Sequence, residues 1–168
     1  ILEDSAIVET QNPPHFVKMY CFDKKTIRTH NDYGYKSVST IGYVKAYSEW
    51  LDILQSVRVE DNIRDDFALI FCRDIHENYM SKEKFEYLIP SMYHTIRKVF
   101  PQIHIVYKLH PRQSRQVFDQ FCRNNGFENF SISTGNPTIE VMGAKFSIST
   151  WSSAIIDAYI HRVPNCEY

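Results

Sequence analysis

Two short stretches of the sequence gather residue types suited to holding an anion. Lys108-Leu-His110-Pro111-Arg112 brings three potential cations together, with a proline to fix the direction in which the chain turns away. Thr150-Trp-Ser152-Ser153 sets two serine hydroxyls where a strand-like run gives way to helical spacing. A helix start presents unpaired N–H groups and the positive end of its dipole, so hydroxyls placed there make a site for phosphate on a protein with no net positive charge. Arg73-Asp74 follows another apolar run and points toward the same edge. Each stretch also has a plainer reading. Ser152 reads as a helix N-cap and Ser153 as an ordinary first-turn residue. His110 reads as a turn histidine bonded to a backbone carbonyl, Lys108 as a side chain reaching solvent, and Arg73-Asp74 as loop charges. The joint occurrence of both motifs at strand ends of one sheet raises the phosphate reading above these.

Other chemistries lack their motifs. The sequence has no GxxxxGK[ST] loop, no GxGxxG after a strand, no GxSxG elbow and no HExxH, so phosphate-loop NTPases, dinucleotide dehydrogenases, α/β-hydrolases and zincins lose their simplest support. The seven histidines show no metal-ligand spacing with cysteines or carboxylates. Neither a metal nor an organic cofactor is expected.

The elements that must position these residues are read from about Asp61 onward, where short β-type runs alternate with helical spacing, as βαβ units require. Phe67–Cys72 is a continuous apolar run, the pattern of a strand covered on both faces. Ser81 then caps a helix with apolar residues at Phe85, Leu88, Ile89, Met92, Ile96 and Val99, and Pro90 within it predicts a kink or a split. His104–Leu109 is the next strand, stopped by Pro111. Val117, Phe118, Phe121 and Cys122 share a helical face that closes at Asn125-Gly126. Phe130–Ser133 is a short strand. Asn136-Pro137 starts a short helix through Met142, ended by Gly143. Phe146–Thr150 alternates as a strand, and Ser152 is placed to cap a helix carrying Ile155, Ile156, Tyr159 and Ile160. The fold class is therefore α/β: a Rossmann-like, mainly parallel sheet with helices on both faces.

The first sixty residues read differently. Pro13-Pro14, the polar run Lys24 to Asn31, Gly34 and Gly42 punctuate short segments such as Phe16–Cys21, and a helix is expected over Val44–Leu54 with Tyr47, Leu51 and Leu54 on one side. Residues 1–60 are expected to be the end of a preceding domain plus a connector, and 61–168 the α/β domain. No internal repeat is present.

Composition narrows the class. The chain has 168 residues, 43% hydrophobic and 23% charged, enough apolar material for a real core and too little bias for disorder. Nineteen basic residues against twenty acidic ones give a net charge of -1, which removes the broad basic surface that nucleic acid or an anionic membrane would require. Apolar runs all fall short of the roughly 18 residues of a spanning helix. Cys21, Cys72, Cys122 and Cys166 form no CxxC pair and read as reduced thiols in a cytoplasmic protein, buried for the most part. No secretory signal begins the chain, and both ends read as cuts in a longer protein, the second where a strand is due after a helix.

Lys108-Leu-His110-Pro111, then Ile148-Ser-Thr150-Trp-Ser152-Ser153-Ala-Ile-Ile-Asp157-Ala158 and Val163-Pro164, resembles the donor-binding half of bacterial surface-polysaccharide glycosyltransferases of the two-domain GT-B type. By motif the chain is most similar to bacterial sialyltransferases and polysialyltransferases, with their KxHP and Ser-Ser motifs. Capsule Kdo transferases and CDP-glycerol glycerophosphotransferases carry similar elements. The resemblance spans roughly residues 67–168, with short motifs that do not settle the donor. It implies that this is the C-terminal half of a GT-B fold, truncated, with His110 as the catalytic group meeting the donor phosphate and Ser152 and Ser153 holding that phosphate. Lys108, Pro111 and Thr150 would lie in the donor site, with Glu140 the candidate for the ribose. The general base would belong to the missing acceptor-side domain.

The implied function is transfer of a sugar from a nucleotide-activated donor, a cytidine nucleotide such as CMP-sialic acid being favoured, to a bacterial glycan acceptor. Nucleic acid is not an expected partner. Peripheral membrane association of the full-length protein is compatible with the class. The alternatives are a CDP-glycerol glycerophosphotransferase and a non-catalytic α/β binding module. A nucleotide-sugar epimerase is ranked lower, because more acidic and histidine pairs would be expected across its cleft.

Overall fold

The structure, a computed structural model, describes residues 19–21, 24–25, 38–60, 65–150 and 152–168. Pro13-Pro14, most of the Lys24–Asn31 run, Gly34 and Trp151 lie outside the described residues. The chain divides into two compact units, Ile1–Ile53 and Leu54–Tyr168.

In the first unit, β1 (Met19–Cys21) pairs in parallel with β2 (Val38–Thr40). Gly42 adopts a φ of 71°, open to glycine at no steric cost. A 3-10 turn covers Val44–Ala46, and α1, whose residues from Leu54 onward are counted in the second unit, runs from Ser48 to Glu60. The helix expected over Val44–Leu54 is thus displaced toward the C-terminus. Tyr47 is the reason: its backbone is extended (φ -70°, ψ 136°), so the 3-10 turn ends there and helical bonding begins anew with Leu51 N donating to Tyr47 O at 3.0 Å.

In the second unit, the order is β3 (Phe67–Phe71), α2 (Lys82–Val99), β4 (His104–Lys108), α3 (Arg115–Asn124), β5 (Phe130–Ser133), α4 (Pro137–Val141), β6 (Ala144–Ser149), α5 (Ile155–Ile160) and β7 (Asn165–Glu167). All five strands are parallel, in the order β5-β4-β3-β6-β7. β3 is central and buried along its whole length, which is why it reads as an unbroken apolar run. The strand due after the last helix is β7, at the sheet edge.

Side chains of each strand alternate between two cores. Ala68, Ile70, Ile105 and Tyr107 face α2 and α3, packing with Phe85, Ile89, Met92 and Phe118. Phe67, Leu69, Phe71 and Val106 face the other way, toward Val141 of α4 and Ala158 of α5. The mainly parallel sheet with helices on both faces is therefore present, and it is Rossmann-like.

Local chemistry sets the helix ends. Ser81 accepts from Lys84 N at 3.2 Å, and Asn136 caps α4 through Thr138 N at 2.9 Å. Ser114, which the sequence reading passed over, caps α3 by accepting from Val117 N at 3.4 Å. Beyond α3, Gly126 takes a φ of 69° and Phe127 N reaches back to Cys122 O at 3.0 Å, satisfying carbonyls that the helix end leaves open.

Several expectations are corrected. α2 is not split at Pro90, because Ile89, Met92 and Tyr93 are all buried on its core side while the carbonyl deprived of a donor belongs to exposed Glu86. Val99 and Val117 are exposed at 62% and 71%, so neither joins the buried stripe of its helix. Tyr159 is exposed as well, and the buried residues of α5 are Asp157 and Ala158. Cys72 and Cys122 are buried, and burial pushes both thiols up, leaving them unreactive. Cys166, on edge strand β7, is exposed.

Candidate functional site

From β3 the chain winds outward through β4 to β5, then crosses back to place β6 on the other side of β3. Loops leaving β3 and β6 therefore go to opposite faces, and the crevice between them lies at the carboxyl ends of the strands. Arg73 and Asp74 follow β3, Lys108 to Arg112 end and follow β4, and Thr150 to Ser153 follow β6. With neighbouring strands about 4.8 Å apart, the β4 and β6 ends are separated by about 10 Å, a span that a nucleotide's phosphate and sugar can bridge.

Lys108 closes β4 and is buried, with Nζ donating to Leu109 O at 3.0 Å. It does not reach solvent, contrary to the plainer reading of the sequence. The ladder holds through this point, since Leu109 N donates to Ser133 O at 3.1 Å and Cys72 N to Lys108 O at 2.9 Å. Pro111 is exposed in the turn that follows.

His110 is half-buried in that turn. Its Nδ1 accepts from Arg112 N at 3.3 Å, so in the neutral ring the proton sits on Nε2. This is a turn bond, but to a backbone N–H rather than to a carbonyl. Burial holds the imidazole below the usual histidine range, and the charges of Arg112, Arg73 and Lys108 push the same way against Asp74. Four groups, from the end of β4 and from the loops after β3 and β4, thus bear on one ring, three of them positive.

Glu140 is buried on α4. Ser133 donates its hydroxyl to Oε1, while Oε2, fully enclosed, has no hydrogen-bond partner. Burial lifts its carboxyl to about 7, against the pull of Lys108 and of the Gly135 N–H. A Cβ on Gly135 would come within 2.6 Å of Oε1, so a larger residue there would make the Glu140 carboxylate shift. The structure brings Glu140 to Lys108 and the β5 end; it does not tie it to Ser152 or Ser153.

Thr150 is fully buried and donates to Phe71 O at 3.2 Å, joining the ends of β6 and β3. Ser152 is not the N-cap of α5: Ala154 holds that position without a side-chain bond, and Ser152 Oγ accepts from Ala154 N at 3.3 Å in a local turn. The extra turn over Ser152–Ala154 displaces the cap, so the phosphate-at-a-helix-start reading of α5 gives way to a hydroxyl-bearing turn. Ser153 is exposed. Behind this turn, Thr138 Oγ1 donates to Asp157 Oδ1 at 2.9 Å, both groups buried, linking α4 to α5.

Sequence reasoning passed over Gln113, Ser133, Gly135 and Thr138. Asp157 had a legible signal, a carboxylate inside the apolar run Ala-Ile-Ile-Asp-Ala. Among the described residues no group of three or more His, Cys, Asp and Glu is disposed to hold a metal ion, and no helix is long and apolar enough to cross a membrane. A groove of about 550 Å³ lies elsewhere, at the amino ends of β4 and β5, between His104, Arg115, Asp119 and Glu128.

No family model matches the sequence, and no curated protein matches it. Solved structures do. UDP-GlcNAc 2-epimerase of Methanocaldococcus jannaschii, in complex with UDP-GlcNAc and UDP, superposes with a TM-score of 0.61 at 15% identity, over 89% of this chain and 44% of that one. The chain thus spans less than half the length of that enzyme. At this identity the likeness is one of fold, a GT-B-like Rossmann domain.

Proposed function

We propose that the chain is the donor-binding part of a nucleotide-sugar enzyme, in which the carboxyl ends of β4 and β6 hold the phosphate of the nucleotide. The observation that carries this reading is the electrostatic setting of His110, where Arg112, Arg73 and Lys108 act together on a half-buried imidazole beside the crevice. An anion seated there relieves that repulsion. The fold shared with an enzyme crystallised with UDP-GlcNAc and UDP supports the same class of ligand.

The reaction is glycosyl transfer from a nucleotide-activated donor to a bacterial surface glycan, with a cytidine donor such as CMP-sialic acid suggested by the KxHP and Ser-Ser motifs. As the glycosidic bond breaks, negative charge builds on the departing phosphate. His110 Nε2–H, the Ser152 and Ser153 hydroxyls and the nearby N–H groups stabilise that charge more than they stabilise the bound donor. Glu140 is the candidate for the ribose by the resemblance; its unpaired Oε2 is enclosed in the ligand-free chain and must be uncovered before it can accept from a ribose hydroxyl. Lys108 and Thr150, both buried, shape the site from beneath, and Pro111 directs the exposed turn at its edge. The residues assigned here all serve the donor, and none of them is assigned to activate the acceptor.

Two other nucleotide-using readings remain alternatives: a glycerophosphotransferase using CDP-glycerol, by its shared motifs, and an epimerase, by the fold of its neighbour. Calorimetric titration with CMP, CDP and UDP separates them. Saturable binding of CMP alone supports the sialyltransferase-like reading, preference for CDP the glycerophosphotransferase, and preference for UDP the epimerase class. No binding of any of the three leaves a non-catalytic module.

A further inference from the structure

One side chain joins the loops that follow β3 and β4. Gln113 Oε1 accepts from His110 N at 2.8 Å, and Gln113 Nε2 donates to Arg73 O at 3.2 Å. The two loops lie 40 positions apart in sequence, yet a single amide satisfies one backbone group from each. Gln113 N closes its own turn onto His110 O at 2.9 Å. A second link, Arg112 to Asp74 at 3.7 Å, is exposed on the arginine side and adds little to stability.

The far loop is itself ordered. His76 and Met80 exchange backbone hydrogen bonds, Met80 is buried, and the Arg73 guanidinium lies 4.7 Å from the centre of the Tyr79 ring. Gln113 therefore fastens the histidine turn to a loop that already has a fixed shape. The amide suits this clasp because it carries an acceptor and a donor at one fixed separation. A carboxylate would face the Arg73 carbonyl with a lone pair, and an alkyl chain would leave His110 N without its acceptor.

We propose that Gln113 is a positioning residue that sets His110 against the Arg73 loop, fixing the ring so that its Nε2–H faces the anion site. What that register serves rests on the function proposed above; the clasp itself is testable without ligand.

The test uses the whole chain carrying Gln113→Met, which keeps the length and packing of the side chain, alongside Gln113→Ala. Nitrogen NMR of the ligand-free protein reads the tautomer and titration of His110, circular dichroism reads folding, and calorimetry reads CMP affinity. Both variants are expected to remain folded. His110 is expected to lose its single Nε2–H form and to titrate higher than in the parent, as the loosened turn gains water and moves from the arginines. CMP binding is expected to weaken about tenfold. A folded Gln113→Met protein whose His110 tautomer and titration match the parent overturns the proposal. Failure of the parent to bind CMP overturns the nucleotide reading instead, while the ligand-free titration still decides the clasp.

Discussion

The two faces of the central sheet are built from different materials. On the side of α2 and α3, Tyr107 of β4 meets Phe85, Ile89, Met92 and Phe118 of the helices in one cluster, with aromatic rings in contact: Phe85 is 5.3 Å from Phe121, and Tyr93 stacks on Phe127 at 4.1 Å. Against α4 and α5 the apolar cluster is smaller, and Thr138, Glu140, Ser147, Ser149 and Asp157 are buried beside it. Burying polar groups costs free energy unless each finds a partner. The second face meets that demand with Thr138 to Asp157, Ser133 to Glu140 and Ser149 to Asn165 at 3.2 Å, and leaves Glu140 Oε2 unpaired. Stability is therefore concentrated on one face, while the other spends apolar area on groups that shape the carboxyl ends of the strands.

Substitutions separate the two faces, and the largest effect belongs to the apolar one. Phe85→Ala removes a ring that meets both Phe118 and Phe121 and is expected to destabilise the fold by about 3–5 kcal/mol, with ligand affinity unchanged in the protein that remains folded. Denaturant unfolding and calorimetry on one sample check both halves of that statement. Ser152→Ala with Ser153→Ala acts the other way: nucleotide binding is expected to weaken by about 1–3 kcal/mol, as for lost hydrogen bonds to a charged group, with little change in unfolding. Unchanged affinity in that double variant would remove the β6 end from the site.

Glu140 gives the polar face a pH signature. Its carboxyl titrates near 7 when folded against an ordinary 4.5, so between those values the folded chain holds a proton that the unfolded chain has released. Stability therefore falls as pH rises from about 4.5 through 7 and levels off above. The contribution is on the order of 1–2 kcal/mol, below the full conversion of the shift because solvent screens the charge. Glu140→Gln is expected to flatten that decline, which melting curves from pH 5 to 8 measure directly. An equally steep decline in the variant would place its origin elsewhere. The smallest effect is that of Val117→Ala, expected to stay within about 0.5 kcal/mol because this side chain stands in solvent.

Val117 also marks where the sequence stops being legible. Periodicity locates α3 but cannot say where its buried arc ends, and at Val117 the stripe had already turned outward. The same holds for Val99. Strands were easier, because Phe67–Phe71 is covered on both faces and shows it as a continuous apolar run, and His104–Lys108 has the apolar centre Ile105–Tyr107. At the site, the strand-end positions of Lys108, His110, Thr150 and Ser152 followed from the alternation of elements. Their bonds did not: whether Ser152 caps a helix or closes a turn depends on one extra turn of backbone before Ile155, and Thr150's tie to Phe71 depends on strand order. Gln113 was invisible for a related reason, since its partners are backbone groups and leave no mark on residue type.

On the proposed function, His110 meets an anion at the carboxyl end of β4. NMR titration of its imidazole, with and without saturating CMP, tests this most directly. Without ligand the ring is held below the usual histidine range by burial and three nearby cations. A bound phosphate adds an opposing negative charge, so the titration midpoint is expected to rise when CMP is present. Saturable binding of CMP with an identical His110 titration curve in both states would contradict the claim.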